Sequence, residues 1–385
     1  MQITHCGNES SYLIGNPQIS SFTSVFNKQT NFAIESIKNN FPNISEFGKT
    51  NQLIVGRYGD LFNELWLETT LPVDCEWVDD IGYALIANAH IDMGGQIVSQ
   101  INGSWMNIHN NLTLTDEKRN GMNMLIGNDG SRKLKIPLEF PLLKNNNCVP
   151  IIKLAFHEVR ISVTFNSLDN ILVKSNGGDL SLTDTSLYID YIYVELEERR
   201  RLAQIGTEYL IERIQYQDVD IPEPTKSISI NLDFSHQIKE IVWVVLQDDS
   251  KKNKQWFNWT DNQTVLGSDT RNGNPVSYAT IKLDNINRFE KRDGKYFDTV
   301  QPYKYHTNVP STRGINVYSF AFEPEEYQPS GFIDFTRLSS ENKLVTLELS
   351  FDTAITGTVK LFAVNYNMIR YDCGMAGILM EQYCV

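Results

Sequence analysis

The chain has 385 residues, of which 41% are hydrophobic and 21% are charged, and its formal net charge is −13 at pH 7. These fractions are typical of folded globular proteins and exclude disorder, collagen and coiled coil as the main state. At about 150 residues per domain, the length predicts two large domains or three small ones. The acidic balance argues against a wide DNA-binding face, because phosphate binding needs clustered Lys and Arg.

The cysteines and the apolar runs indicate which cellular compartment and which membrane relation to expect. Five cysteines are scattered along the chain without a Cys-x-x-Cys pair, a pattern typical of a reducing compartment. Residues 1–6 contain neither a basic nor an apolar segment, so we expect no secretory signal peptide. The longest strongly apolar run, Ile241 to Leu246, is far shorter than the roughly 20 residues that a membrane-spanning helix needs.

The dominant hydrophobic period along the chain is two, with two helical stretches as exceptions. The first, a short helix near the N-terminus, is predicted from Ile19, Phe22, Val25 and Phe26, which recur at the spacing of one helix face. Alternating runs rich in β-branched and aromatic residues predict half-buried antiparallel strands. These runs lie at 160–165, 186–194, 344–351 and 358–366. The run 241–246 is apolar on both faces, which predicts a strand inside a sandwich.

A second helical pattern and a proline-rich connector predict a division in the middle of the chain. The helical pattern consists of Leu202, Ile205, Tyr209, Leu210 and Ile214. An acidic stretch with two prolines follows it. We therefore predict three segments, each taken up again below. They are an N-terminal domain with an N-terminal arm at 1–215, a linker at 216–225 and a C-terminal domain at 226–385.

We find no catalytic, cofactor-binding or metal-binding pattern in the sequence. Phe47-Gly48-Lys49-Thr50 is similar to the end of a phosphate-binding loop, but Asn43 stands where that loop needs its first glycine. His157-Glu158 lacks the second histidine of a zinc-binding helix. Arg199-Arg200-Arg201 has acidic neighbours, which favours a solvated, ion-paired helix face over a nucleic-acid patch. We therefore predict no enzyme activity, no cofactor and no metal.

An aromatic cluster, Trp256-Phe257-Asn258-Trp259, follows the basic run Lys251-Lys252-Asn253-Lys254. Trp256 and Trp259 are therefore candidate surface or interface aromatics. They could form a platform for a sugar or another ligand. A buried loop plug or a subunit contact is the favoured alternative, since Trp is common at protein interfaces.

A dozen short segments stand in the order in which one protein family carries them. Among them are Arg57-Tyr58-Gly59-Asp60, Ile91 to Ile97, Lys239 to Val245 and, most specific of all, Tyr318 to Gly331. Together they resemble the major capsid proteins of nucleocytoplasmic large DNA viruses, the group that includes iridovirus and algal-virus capsid proteins. The positions matched to family motifs are Asn16, Pro17, Arg57, Gly59, Asp60, Gly94, Gly95, Gln96, Trp243, Pro302, Pro324, Pro329, Ser330, Gly331, Asn365 and Gly374.

The resemblance implies structural roles for these positions. Gly59, Gly95 and Gly331 would supply turns or close backbone approach. Pro324 and Pro329 would stop a strand and stiffen a loop, because proline removes a ladder donor and fixes φ. Asp60 would cap its own turn by accepting from backbone N–H groups, so its loss would cost about 1 kcal/mol.

The resemblance also implies a fold and a function. The fold would be all-β, with two consecutive eight-stranded antiparallel jelly rolls (a double jelly roll) and a few short helices. Three chains would form a homotrimeric, pseudo-hexagonal capsomer that tiles an icosahedral virus shell. Its expected partners are neighbouring capsomers, minor capsid and penton proteins and an internal viral membrane, without direct nucleic-acid contact. The expected location is the virion capsid, assembled in the host cytoplasm.

Two other functions remain open from the sequence. One is a double jelly-roll scaffold or minor capsid protein of a large DNA virus. The other, more remote, is a carbohydrate-binding jelly-roll module that uses Trp256 and Trp259. The chain is short for the capsid family, which predicts reduced loops on the outer surface.

Overall fold

A computed structural model of the chain describes residues 31–175, 177, 180–261, 273–284, 286–340 and 344–380. The predicted helix at Ile19–Phe26 lies outside the described residues, as do Asn16 and Pro17.

The first ten strands build a jelly roll. Their bounds are β1 (Phe32–Asn40), β2 (Thr50–Ile54), β3 (Leu61–Thr70), β4 (Cys75–Trp77), β5 (Ile86–Met93), β6 (Gln96–Ile101), β7 (Lys133–Pro137), β8 (Val159–Phe165), β9 (Leu172–Ser175) and β10 (Thr183–Val194). Eight of them form two four-stranded sheets of order β1-β10-β3-β7 and β2-β8-β5-β6, while β4 pairs with β9. The first strand, β1, therefore neighbours the last, β10, and β2 neighbours β8, as in a long hairpin rolled into two layers.

Alternation of side chains explains why these sheets pack face to face. Every second residue of a strand points to the same side of its sheet. The inward-pointing residues are fully or almost fully buried in one apolar cluster between the two sheets. They include Leu65, Leu67, Ile161, Val163, Leu187 and Ile189. The predicted strands at 160–165 and 186–194 correspond to β8 and β10, so these two predictions are confirmed.

The remaining strands form the second unit. Their bounds are β11 (Thr207–Asn231), β12 (Gln237–Gln247), β13 (Val276–Leu283), β14 (Ile286–Asn287), β15 (Arg292–Asp293), β16 (Asn316–Ser319), β17 (Ile333–Asp334), β18 (Val345–Asp372) and β19 (Met375–Ile378). They form one connected antiparallel sheet in which β18 pairs with β11, β12, β13 and β19.

The long strand β18 folds this sheet over a second core. Its first half pairs with β13 and its second half pairs with β12. Leu347 and Leu349 of the first half lie in the same apolar cluster as Val359 and Leu361 of the second half. The predicted strands at 344–351 and 358–366 are thus two parts of one element that lines the core from two sides.

Strand β12 lies between the two cores and joins the units. Trp243 and Val245 belong to the core of the second unit, whereas Val242 and Val244 belong to the cluster that extends into the first jelly roll. All four residues are fully buried. The prediction of a strand that is apolar on both faces is therefore confirmed, and the reason is that the strand is covered by a different unit on each face.

The structure corrects the prediction for residues 202–225. The helix spans Leu196–Gln204 only, and β11 runs from Thr207 through the whole predicted linker at 216–225. Pairing with β18 overrides the helical spacing of the apolar residues. The two prolines are tolerated because the register with β18 is broken between Ile221 and Thr225, where no ladder donor is needed. The division of the chain into domains at this segment stays a prediction.

Short helices connect the strands. The α-helices are Ile81–Leu85, Gly103–Thr113, Asp116–Leu125, Leu168–Ile171, Leu196–Gln204, Asp248–Lys252, Gln301–Tyr305 and Phe335–Ser340. Short 3₁₀ segments occupy Pro141–Asn146 and Ile151–Lys153, and a π-helical turn occupies Tyr296–Val300. None of the helices in the described ranges is long and apolar enough to cross a membrane.

Candidate assembly surface and buried charge cluster

One end of the molecule collects segments from both units. Strand β1 begins there, with Phe32 opposite Val194 at the end of β10. The Asp60 carboxylate accepts the backbone N–H of Val194 at 3.0 Å. It also accepts from the Arg199 guanidinium at 2.9 Å, and the Nε atom of Arg199 lies 2.7 Å from its other oxygen. This carboxylate therefore fastens the helix Leu196–Gln204 to the first jelly roll.

Further contacts bring the second unit to the same end. The Lys153 ammonium donates to the Ile205 carbonyl at 3.0 Å and to the Thr207 hydroxyl at 2.6 Å. The backbone N–H of Phe156 donates to the Gly374 carbonyl at 2.9 Å. Gly374 lies in the turn between β18 and β19, so the first jelly roll and the last hairpin of the chain are joined directly.

Two glycines allow this close approach. Gly94 has a φ of +62° in the β5–β6 turn, and a Cβ atom there would lie 2.5 Å from the His157 ring. Gly374 has a φ of +81°, and a Cβ atom there would lie 2.6 Å from the Phe156 ring. A larger residue at either position would combine an unfavourable backbone with a steric clash. The His157 ring in turn accepts the backbone N–H of Ala376.

Large apolar side chains are exposed at this end. We call the region the end surface and define it by Phe32, Tyr58, Phe156, Leu196, Ile205 and Met375. Phe156 is 78% exposed and Ile205 52% exposed. Single exposed apolar side chains are common on any protein, but a group drawn from five separate segments of the chain is typical of an interaction surface.

The structure brings seven of the predicted family positions to the end surface. They are Arg57, Gly59, Asp60, Gly94, Gly95, Gln96 and Gly374. Gln96 accepts the backbone N–H of Ile378, and a Cβ atom on Gly59 would lie 2.8 Å from Tyr191. One predicted role is wrong in detail: Asp60 binds Val194 and Arg199, distant in sequence, and does not cap its own turn. Its carboxylate is buried, so these long-range donors replace water.

A second group of family positions surrounds a set of buried charges. Glu212 of β11 receives a hydrogen bond from the fully buried Lys239 of β12, and Lys144 lies 3.5 Å from its second oxygen. Lys239 also donates to the Pro324 carbonyl at 2.5 Å. Burial lowers the pKa of Lys239, and the negative charge of Glu212 opposes that shift.

A histidine between two carboxylates completes this set. His306 lies 3.0 Å from Glu325 through Nδ1 and 3.3 Å from Glu240 through Nε2. Burial lowers the pKa of His306, but the two carboxylates outweigh it and raise the pKa to about 9. Burial raises the pKa of Glu240, but the imidazolium outweighs it and lowers the pKa to about 2. We call Glu212, Lys239, Glu240, His306 and Glu325 the charge cluster.

The remaining family positions support the charge cluster or the second core. Asn365 is fully buried and accepts from Gln215 at 3.0 Å. Pro324, Pro329, Ser330 and Gly331 lie in the loop after β16, which the Ser330 hydroxyl closes by hydrogen bonds with both backbone groups of Glu323. Pro302 is buried in the helix Gln301–Tyr305. Trp243 packs on Phe297 with ring centroids 5.1 Å apart.

The charge cluster was not predicted from the sequence. Lys239-Glu240 stands at the start of an apolar strand, and this adjacency of charge and deep burial was the available signal. Its partners were not recognisable, because Glu212 lies on β11 whereas His306 and Glu325 lie in loops far away in the sequence.

The two tryptophans do not form an exposed platform. Trp259 is 1% exposed and packs in the cluster that joins the two units. Trp256 is half-buried, and its indole N–H donates to the Asn170 carbonyl at 2.8 Å. The reading of these residues as a sugar platform is therefore wrong for Trp259, and the buried loop plug is the better description. Trp259 is buried because its loop extends from the second unit onto the first.

The predicted ion-paired character of the basic run is confirmed. Arg199 binds Asp60, and Arg201 lies 3.8 Å from Glu198 on the same helix. No residue of this helix is buried. In the described part of the chain, no group of three or more His, Cys, Asp or Glu residues could hold a metal ion.

A cavity of about 350 Å³ separates the two units beside the charge cluster. Trp66, Trp105 and Phe140 supply apolar walls, and Glu212 and Glu240 reach it from the second unit. These carboxylates are already held by Lys239 and His306. The cavity thus presents paired charges rather than a nucleophile activated by a base.

Two jelly rolls joined through a common core, with an exposed apolar end, define a double jelly-roll protein of the capsid type. Residues 20–195 match the family model "Major capsid protein N-terminus", and residues 198–377 match "Large eukaryotic DNA virus major capsid protein". The chain belongs to this family of major capsid proteins, and its role is structural.

Individual relatives agree with this assignment. The chain is 33% identical to the major capsid protein of Pyramimonas orientalis virus, with 98% of both chains covered. It is 30% identical to that of Phaeocystis pouchetii virus, again with 98% of both covered. The second alignment spans 514 positions, although this chain has 385 residues. That relative therefore carries segments that this chain lacks, which agrees with the predicted shortness. Their place on the outer surface stays a prediction.

Solved structures support the fold. The quasi-atomic model of the PBCV-1 virus capsid matches with a TM-score of 0.83 at 24% identity, over 94% of this chain and 100% of that chain. The Faustovirus major capsid protein matches with a TM-score of 0.77 at 12% identity, over 91% and 92%. The prediction of a double jelly roll is confirmed.

Proposed function

We propose that three copies of this chain form a pseudo-hexagonal capsomer that tiles an icosahedral shell. The observation that carries the proposal is the shared burial of β12, which makes the two jelly rolls of one chain a single rigid pair. Three such pairs around one axis present six similar lateral faces. A cyclic trimer needs one patch complementary to a different patch on the next chain.

The same proposal includes partners and location. Neighbouring capsomers contact the lateral faces, while minor capsid and penton proteins fill the remaining positions of a shell above an internal membrane. Assembly takes place in the host cytoplasm, and the finished location is the virion capsid. The chain performs no catalysis and does not bind nucleic acid directly, in keeping with its net charge of −13.

Light scattering after size exclusion tests the trimer. One chain has a mass of 44.1 kDa, so a trimer has three times that mass, 132.3 kDa. We expect this value and a hexagonal outline in negative-stain images. A folded monomer at all concentrations would contradict the capsomer. A trimer that is absent from mature particles would identify the scaffold protein instead.

A further inference from the structure

The cavity of about 350 Å³ that separates the two units combines aromatic walls with carboxylates. Its volume lies within the range of about 300–1,000 Å³ that is usual for small-molecule sites. Trp105 and Phe140 are buried in its wall, and Trp66 is half-buried there. Such walls contact the apolar body of an organic ligand, so a few polar groups are enough to orient one.

Two carboxylates line the cavity from neighbouring strands of the first jelly roll. Beyond the end of β7, the Leu138 N–H still donates to the Leu65 carbonyl of β3 at 2.9 Å. Glu64 and Glu139 are the next residues along these two segments, and both are exposed and line the cavity. Like charges on facing strands repel each other, so a cation held between them would be stabilised.

The other charges around the cavity do not neutralise these two carboxylates. Among the described residues that line it, Lys144 is the only Lys or Arg, and it lies 3.5 Å from Glu212. Glu139 has His109 at 3.5 Å, a contact that is ionic only when the imidazole is protonated. Glu64 forms no ion pair with the described part of the chain. The cavity therefore favours a ligand with a positive charge.

An unsatisfied acceptor lies in the same wall. The side-chain oxygen of Asn63 is buried and has no hydrogen-bond donor among the described residues, and Asn63 lines the cavity beside Glu64. A buried acceptor without a donor is unfavourable, and most such groups in proteins are paired. A ligand that donates N–H groups would satisfy it, which agrees with the positive charge that the carboxylates favour.

We propose that this cavity is a binding site for a small organic amine. The ammonium group of the ligand donates to Glu64, Glu139 and the Asn63 oxygen. Its apolar body packs against Trp66 and Trp105, whose indole rings also attract a cation. The aromatic walls favour this class over a metal ion, which binds oxygen, nitrogen or sulfur ligands. Both walls belong to one chain, so the site does not depend on formation of the trimer.

Three ligands with the same phenyl body and different head groups test the requirement for positive charge. They are 2-phenylethylamine, which is a cation at pH 7, the neutral 2-phenylethanol and the anionic 3-phenylpropanoate. Calorimetric titration of the full chain at about 0.15 M NaCl screens the charges outside the cavity. We expect the amine to bind about tenfold more tightly than the alcohol, and the carboxylate to bind more weakly than both. Equal affinities of amine and alcohol, or no binding of the amine at millimolar concentration, would overturn the proposal.

Matched variants locate the bound amine. The double variant Glu64→Gln/Glu139→Gln keeps the shape of two exposed side chains, and it should weaken binding of the amine about tenfold and leave that of the alcohol unchanged. The control Glu117→Gln removes an exposed carboxylate outside the cavity lining and should alter neither affinity. Unchanged binding of the amine in the double variant would overturn the proposal. Equal weakening by the control would do so too, because the amine would then respond to the overall charge of −13.

Discussion

The charge cluster and the end surface depart from the usual distribution of side chains in opposite ways. In the charge cluster, ionised groups are buried between the two units, and each has a fixed partner of opposite charge. At the end surface, large apolar groups are exposed to solvent. Buried paired charges specify how β11, β12 and the loops that carry His306 and Glu325 are aligned within the second unit. Exposed apolar groups instead indicate a contact that the described part of the chain does not supply.

The comparison also separates two kinds of family position. Pro324 accepts from Lys239 of the charge cluster, where a change alters the internal alignment of β11, β12 and the loop after β16. Asn365 accepts from Gln215 of β11 and therefore acts on the same alignment. Gly94 and Gly374 lie beneath the end surface, where a change displaces exposed loops. Variants in the first group should lower the free energy of unfolding, whereas variants of the exposed side chains in the second region should chiefly alter association.

The largest expected effect is that of Lys239→Met. The substitution leaves the Glu212 carboxylate, only 4% exposed, without its main partner. Removal of one member of a buried ion pair costs about 3–5 kcal/mol, measured as the free energy of unfolding in urea. The double variant Lys239→Met/Glu212→Leu removes both charges and should recover most of the loss. A cost below about 1 kcal/mol for the single variant would mean that the pair does not stabilise the packing of β11 against β12.

The next effect is a loss of stability at alkaline pH. Because the pKa of His306 is raised from 6.5 to about 9 in the folded protein, its contribution is complete below pH 6.5 and is lost as the pH rises through 9. At about 1.4 kcal/mol per pH unit, the difference amounts to about 3 kcal/mol. The free energy of unfolding measured from pH 6 to pH 10 should show this decline.

Two variants isolate the histidine responsible. His306→Gln should be less stable at pH 6 and should lack the decline. His109→Gln removes a more exposed histidine, 3.5 Å from Glu139, and should keep it. If the free energy of unfolding of His306→Gln declines as much as that of the unmodified protein, other titrating groups cause the decline. At the acid end, Glu240 contributes above pH 4.5, and that contribution is lost as the pH falls through about 2.

Asp60→Ala should lower the free energy of unfolding by an intermediate amount, more than the loss of a turn cap would. The carboxylate holds both a backbone N–H and the Arg199 guanidinium, and hydrogen bonds to charged groups contribute about 1.5–3 kcal/mol. We expect a loss of about 2 kcal/mol in urea unfolding. Glu198→Gln, on the same helix and 3.8 Å from Arg201, is the matched control and should change stability by less than about 0.5 kcal/mol.

Sequence patterns identified the sheets but not the contacts between them. Alternation was sufficient for β8 and β10, because each has one buried and one more exposed face. It failed for Tyr209 to Ile214, whose spacing also fits a helix, since only pairing with β18 decides between the two. Trp259 could not be assigned to the core because its burial depends on the other unit. Lys239 could not be assigned to the core either, because its hydrogen-bond partners lie on β11 and in a distant loop.

The smallest expected effect tests whether the end surface is open to solvent. Phe156 and Ile44 are 78% and 80% exposed, so the described contacts predict that serine at either position changes stability by less than about 0.5 kcal/mol. A cost about 1 kcal/mol higher for Phe156→Ser than for Ile44→Ser would mean that Phe156 makes apolar contacts beyond the described ones. Urea unfolding of the two full-length variants measures that difference. Equal stabilities would mean that Phe156 is open to solvent in the single chain, as expected for a surface that is free to bind another molecule.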